Sequence, residues 1–128
     1  MRKNSIYTFF CLFALLPVGD SFAQKSKADS LQDLIQTDKN DTNKVVHLNN
    51  LAVELWSDLD TAIYFSNQAL QISKALETGG WKIGMGRSHY QLGMFYYDKG
   101  DFTNALSHDQ QSLSIRSEER RVGKECRL

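Results

Sequence analysis

Few side chains in this 128-residue chain could do acid–base or metal chemistry, and they are scattered. There are three histidines, His47, His89 and His108, and two cysteines, Cys11 and Cys126. An imidazole acts as a general base or a zinc ligand only beside a positioned partner. His47 has no Cys, Asp or Glu three or four residues away, the spacing that would place one on its own helix face. His108 and Asp109 are adjacent, and adjacent helical residues point about 100° apart, so the carboxylate does not face the ring. No Gly-rich phosphate loop, nucleophile elbow or paired carboxylates at catalytic spacing occurs, and no nucleophile, base and orienting group can be named as a hydrolytic set. Gly79-Gly80 is a helix stop rather than a phosphate cradle. The segment is expected to carry no catalytic residue, no cofactor and no metal site.

Amide, phenol, thioether and guanidinium groups are better represented, and these recognise ligands without reacting. Apolar residues recur at helical spacing through the chain, and they set out the elements that must hold such groups. Residues 25–37 place Leu31, Leu34 and Ile35 on one face, with Asp29 or Ser30 as N-cap. Residues 38–43, DKNDTN, form a polar linker in which Asp41 or Thr42 can cap the next helix. Residues 44–56 carry the stripe Val45, Leu48, Ala52 and Leu55, with Leu51 beside it. Residues 61–76 carry Ala62, Phe65, Ala69 and Leu76, widened by Ile63, Leu70 and Ile72.

The last pair spans residues 86–115. Leu92, Phe95 and Tyr96 share one face of its first helix, and Phe102, Ala105, Leu106 and Leu113 share one face of its second. The turn between them is Lys99-Gly100-Asp101. Gly93 lies mid-helix, where glycine costs about 1 kcal/mol relative to alanine. A partner helix pressed against it would account for its use.

This pair resembles a tetratricopeptide repeat. Leu92-Gly93, Tyr96 and Ala105 stand at the spacing of the repeat's pattern, and Gly100-Asp101-Phe102 matches its usual turn. The departures are His89 and Asp109 at two aromatic positions and Ser117 at the closing proline. At the position it takes in the repeat, His89 would pack between helices. The earlier pair is similar, with Leu51-Ala52, Leu55, Ala62 and Ala69 at the corresponding places. The offsets between copies are 41 residues (Leu51 to Leu92) and 43 (Ala62 to Ala105). The usual repeat is about 34 residues long, and elongated copies resemble those of bacterial signalling proteins. The resemblance implies an all-α fold, an antiparallel helix-pair solenoid truncated after about two repeats. It also implies a concave groove lined by the first helix of each pair. Asn49, Asn50, Val53 and Trp56 would line it in one copy, and Arg87, Tyr90, Met94 and Tyr97 in the next. Such groups grip an extended peptide by hydrogen bonds and adaptable apolar contact. Val53 and Met94 stand where the chaperone-binding version of the fold would need polar groups for a carboxylate clamp.

The two ends read differently from the middle. Residues 1–23 have the plan of a secretory signal peptide. Arg2 and Lys3 precede an apolar run over 6–18, and Ser21-Phe22-Ala23 sets cleavage after Ala23. The run is shorter than the roughly 20 residues of a permanent membrane span. Export to a bacterial periplasm is expected. Residues 116–127, RSEERRVGKECR, have one aliphatic residue, Val122, and read as the direct translation of a common sequencing adapter. Residues 116–128 are therefore expected to be a non-native tail, which removes Cys126 and five of the fifteen basic residues from functional consideration. Residues 24–115 hold 8 Lys/Arg against 11 Asp/Glu, a net −3 with no basic stripe, so nucleic acid is not the expected partner.

The expected organisation is thus a signal peptide (1–23), an opening helix and linker (24–43), two helix pairs (44–115) and the tail. About three repeats are normally needed for stability. Leu106, Leu113 and Ile115 should then be exposed on the last helix, where a further repeat would cover them. The resemblance implies a protein- or peptide-binding module in the periplasmic sensory part of a larger signal-transduction protein, such as a repeat-containing sensor histidine kinase. Membrane attachment would come only through the signal peptide or a downstream helix. The alternative is a free periplasmic scaffold for envelope protein assembly with no enzymatic output.

Overall fold

The computed structural model describes residues 25–76 and 81–127. The expected signal peptide and the Gly79-Gly80 stop lie outside them. The described residues form five helices and no strand: α1 Lys27–Thr37, α2 Thr42–Glu54, α3 Leu59–Ala75, α4 Lys82–Asp98 and α5 Phe102–Glu125. The all-α class expected from the apolar spacing is what the chain adopts.

Local chemistry sets the helix starts. Asp41 accepts hydrogen bonds from the backbone N–H of Asn43 (2.9 Å) and Lys44 (3.2 Å), so α2 begins at Thr42. Asp58 caps α3 through Thr61, and Asp101 caps α5 through Asn104. The cap of α1 is Ser26, not Asp29 or Ser30. Ser26 Oγ accepts from Asp29 N while Asp29 Oδ2 accepts from Ser26 N, a reciprocal box in which Asp29 is the third helical residue. The α4–α5 turn closes as a Schellman motif. Gly100 N donates to Tyr97 O and Asp101 N to Tyr96 O, both at 2.9 Å. That geometry needs a left-handed residue, and Gly100 supplies it at φ 84°.

Each helix packs on the next, and α2 also packs on α4. Side-chain pairs fix the directions. Lys27 at the start of α1 meets Glu54 at the end of α2, and Lys99 just past α4 meets Asp60 at the start of α3, so these neighbours are antiparallel. Asn49 meets Ser88 and Trp56 meets Asp98, so α2 and α4 run parallel. The interior has two apolar groups. Ala52, Ala62, Ile63, Leu70, Leu92 and Phe95 form one, and Val45, Leu48 and Ala69 form the other. Phe65 packs against both.

The repeat-motif positions Leu51, Ala52, Ala62, Ala69, Leu92, Gly93 and Ala105 are buried, while Leu55 and Tyr96 are half-buried. Phe102, expected on the apolar face, is 63% exposed. As the first residue of α5, beside the turn, it packs edge-on against Tyr97 of α4, with ring centroids 5.4 Å apart, and keeps most of its ring in solvent. Leu34 is also exposed, on a helix that packs chiefly against α2. Leu106 and Leu113 are exposed as expected. Ile115 is not: it is half-buried against Gly86, where a Cβ would lie 3.3 Å from its Cγ2. The α5 helix runs past Ile115 to Glu125 although its apolar pattern stops, because Glu and Arg sustain a largely solvated helix.

Candidate functional site

The parallel pair α2 and α4 brings most of the expected groove residues to one surface. Asn50 lies on α2, and its Oδ1 accepts a 2.8 Å hydrogen bond from Arg87 Nη2 on α4. This bond ties the two helices at the rim and leaves the remaining guanidinium donors facing outward. Val53, Trp56, Tyr90 and Tyr97 are exposed around it, and Met94 is half-buried between the helices. Trp56 Nε1 donates to Asp98 Oδ2 at 2.7 Å while its ring meets Phe95 edge-on at 5.0 Å. The indole is thereby fixed, with part of its face open. Arg116 lies over the Tyr90 ring, 5.1 Å from its centroid.

Asn49 corrects the expected groove. It is fully buried between α2 and α4. Its Nδ2 donates to Ser88 Oγ (3.0 Å), Ser88 Oγ donates back to its Oδ1 (3.2 Å), and its backbone carbonyl accepts from Gln91 Nε2 (3.2 Å). Consecutive helical residues point about 100° apart, and here that turn sets Asn49 into the α2–α4 contact and Asn50 at its rim. Asn49 belongs to the seam and Asn50 to the surface.

Two histidine arrangements were not legible from spacing. His47 Nδ1 lies 2.6 Å from Asp38 Oδ2, because the α1–α2 turn brings together residues nine apart. On the other side of α4, His89 Nδ1 lies 2.9 Å from His108 Nδ1 of α5, and Tyr96 stacks on the His108 ring at 5.5 Å. Burial, the His108 ring and Lys74 of α3 together push His89 down to about 4. Burial and Lys74 also lower His108, against the opposing pull of Asp109. The signal that could have found this pair is symmetry about the turn. His89 lies ten residues before Lys99 and His108 nine after it, so an antiparallel hairpin sets them opposite each other.

The His47–Asp38 and His89–His108 pairs each join residues of neighbouring helices. Among the described residues no three His, Cys, Asp or Glu side chains gather closely enough to hold a metal ion, and no helix is long and apolar enough to cross a membrane. Comparison with protein-family models, with curated proteins and with solved structures finds no match to the chain. The α2–α4 surface presents aromatic faces, one aliphatic side chain, a thioether and a guanidinium with donors beyond the Asn50 bond.

Proposed function

We propose that this chain is a protein- or peptide-binding module of tetratricopeptide type, in the exported sensory region of a larger bacterial signal-transduction protein. The observation that carries the binding reading is the α2–α4 surface. There Val53, Tyr90 and Tyr97 are exposed beside the Asn50–Arg87 bond, on helices joined beneath them by Asn49, Ser88 and Gln91. Rigid aromatic rings with an outward guanidinium suit an extended peptide carrying apolar side chains and a carboxylate. Alternation of antiparallel neighbours with a parallel α2–α4 contact supports the stacked helix-pair arrangement. The export and signalling parts of the reading rest on residues 1–23 and on the elongated repeat spacing.

The test is a selection of displayed random peptides on the full chain, repeated with Tyr90→Ala combined with Tyr97→Ala. Both rings are exposed, so the double variant keeps its helical circular dichroism. Selected peptides should bind it at least about tenfold more weakly, a loss of about 1.4 kcal/mol. Undiminished binding by a folded double variant would place the binding surface elsewhere.

A further inference from the structure

A second surface has a different composition. On the outer side of α3, Tyr64, Asn67, Gln68 and Gln71 follow the spacing i, i+3, i+4, i+7 and share one helix face. Solvent-facing helix positions of this kind usually carry Lys and Glu, which pair with each other and with water. Here all four are uncharged, and the first is aromatic. They line a shallow cavity of about 430 Å³ completed by Asn40 of the α1–α2 turn, Lys44 of α2 and Ile72 of α3.

Two features make this face fit for a ligand. Tyr64 is 57% exposed, and its hydroxyl accepts a 2.7 Å hydrogen bond from Gln68 Nε2, which fixes the ring as a platform. The amides of Asn40, Asn67 and Gln71 and the Lys44 ammonium have no side-chain partner among the described residues. A planar amide offers donors and an acceptor side by side, so it can both give to and take from neighbouring hydroxyls. The negative face of an aromatic ring attracts the weakly positive C–H bonds on one face of a sugar ring.

We propose that this cavity binds a saccharide, with one pyranose ring on Tyr64 and its hydroxyls held by Asn67, Gln71 and Asn40. The exposed surface of the lining is mostly carbon, which suits the C–H face of a sugar ring, while its amides supply the polar contacts. A nucleic acid would need several cations, and Lys44 is the single basic side chain in the lining. The site lies on α3 and the α1–α2 turn and does not depend on the α2–α4 surface.

The experiment is a titration of the full chain with three neutral trisaccharides: tri-N-acetylchitotriose, cellotriose and maltotriose. Backbone amide resonances of residues 64–72 report the contact in the parent and in every variant. At least one sugar should shift them, with a dissociation constant of about 1 mM, as few and water-competed contacts allow. Tyr64→Phe keeps the ring and should bind within about threefold of the parent, whereas Tyr64→Ala and Gln71→Ala should weaken binding about tenfold and about threefold. Both positions are exposed, so the fold is not at risk. No shift with any of the three sugars at about 10 mM, or binding that survives Tyr64→Ala, would overturn the assignment.

Discussion

His89 of α4 and His108 of α5 meet through the same atom type, Nδ1 to Nδ1 at 2.9 Å. One ring must donate and the other accept, which two neutral rings or a singly protonated pair can do and a doubly protonated pair cannot. His89 is 3% exposed, and Lys74 adds a further like charge from α3. The unfolded imidazole takes its proton near 6.5, but the folded His89 resists it down to about 4. The unfolded state therefore binds more protons throughout that window. Stability is fully present above pH 6.5 and falls as pH drops toward 4, by at most about 3 kcal/mol from His89. Urea midpoints measured from pH 7.5 to 4 should show this decline, and His89→Gln should flatten it. An equal slope in that variant would remove the pair from the acid response.

Gly93 lies under Asp109, and a Cβ there would fall within the carboxylate, 2.9 Å from Cγ and 3.4 Å from the Ala105 carbonyl oxygen. Alanine in a helix interior is otherwise favoured over glycine by about 1 kcal/mol. Crowding against a side chain with only two torsions outweighs that gain, so Gly93→Ala should destabilise the fold by about 1 kcal/mol. Truncating Asp109 to Ala removes the clash and leaves only the 3.4 Å contact. The double variant should then be as stable as the parent or more so, a coupling that denaturation of all four proteins measures directly. A single Gly93→Ala variant more stable than the parent would refute the crowding.

These two contacts show how far the sequence could be read. Gly93 announced a close helix partner, because glycine is costly in a helix unless something presses on it, and Gly100 announced its turn for a different reason, the left-handed φ that a side chain disfavours. Asp41 and the buried motif positions Leu51, Ala52, Leu92 and Ala105 followed from capping chemistry and helical spacing. His89–His108 and His47–Asp38 did not follow, since each depends on which residues a helical hairpin sets opposite each other. Asn49 was misplaced for a related reason. Its groove position came from the repeat resemblance, which does not distinguish an amide facing water from one closing a seam, and partners such as Ser88, 39 residues away, decide it. Phe102 failed because helical spacing marks a face but not how deep its first residue sits: at the start of α5 the ring meets Tyr97 only edge-on and stays exposed.

The stretch after Ile115 should matter little to stability. Residues 116–127 are exposed apart from half-buried Glu119. Their contacts with α4 include the Lys82–Glu118 pair at 2.7 Å and Arg116 over Tyr90. Exposed interactions of these kinds contribute about 1 kcal/mol or less each. A chain stopped after Ile115 keeps Ser112 Oγ on the Gly86 carbonyl and Ile115 against Gly86. Its denaturation free energy should stay within about 1.5 kcal/mol of the full chain, while Tyr90 gains accessibility to a fluorescence quencher. A loss of several kcal/mol would mean that the exposed part of α5 holds the α4 contact together.

Asn49 offers the sharpest distinction between a structural and a surface amide. Its side chain both donates to and accepts from Ser88, in a place from which water is excluded. Removing it strands the Ser88 hydroxyl, and a buried polar group left without a partner costs about 1–3 kcal/mol. Asn49→Ala should therefore destabilise by about 2 kcal/mol, and Asn49→Ala with Ser88→Ala by less than the sum, because the second change removes the stranded group. Asn50→Ala loses only a rim bond to Arg87 and should cost under about 1 kcal/mol. The two neighbours thus separate by measurement. Chemical denaturation should single out Asn49, and peptide capture should single out Asn50 and Arg87. Equal stability losses at 49 and 50 would contradict the division between seam and surface on which the binding reading depends.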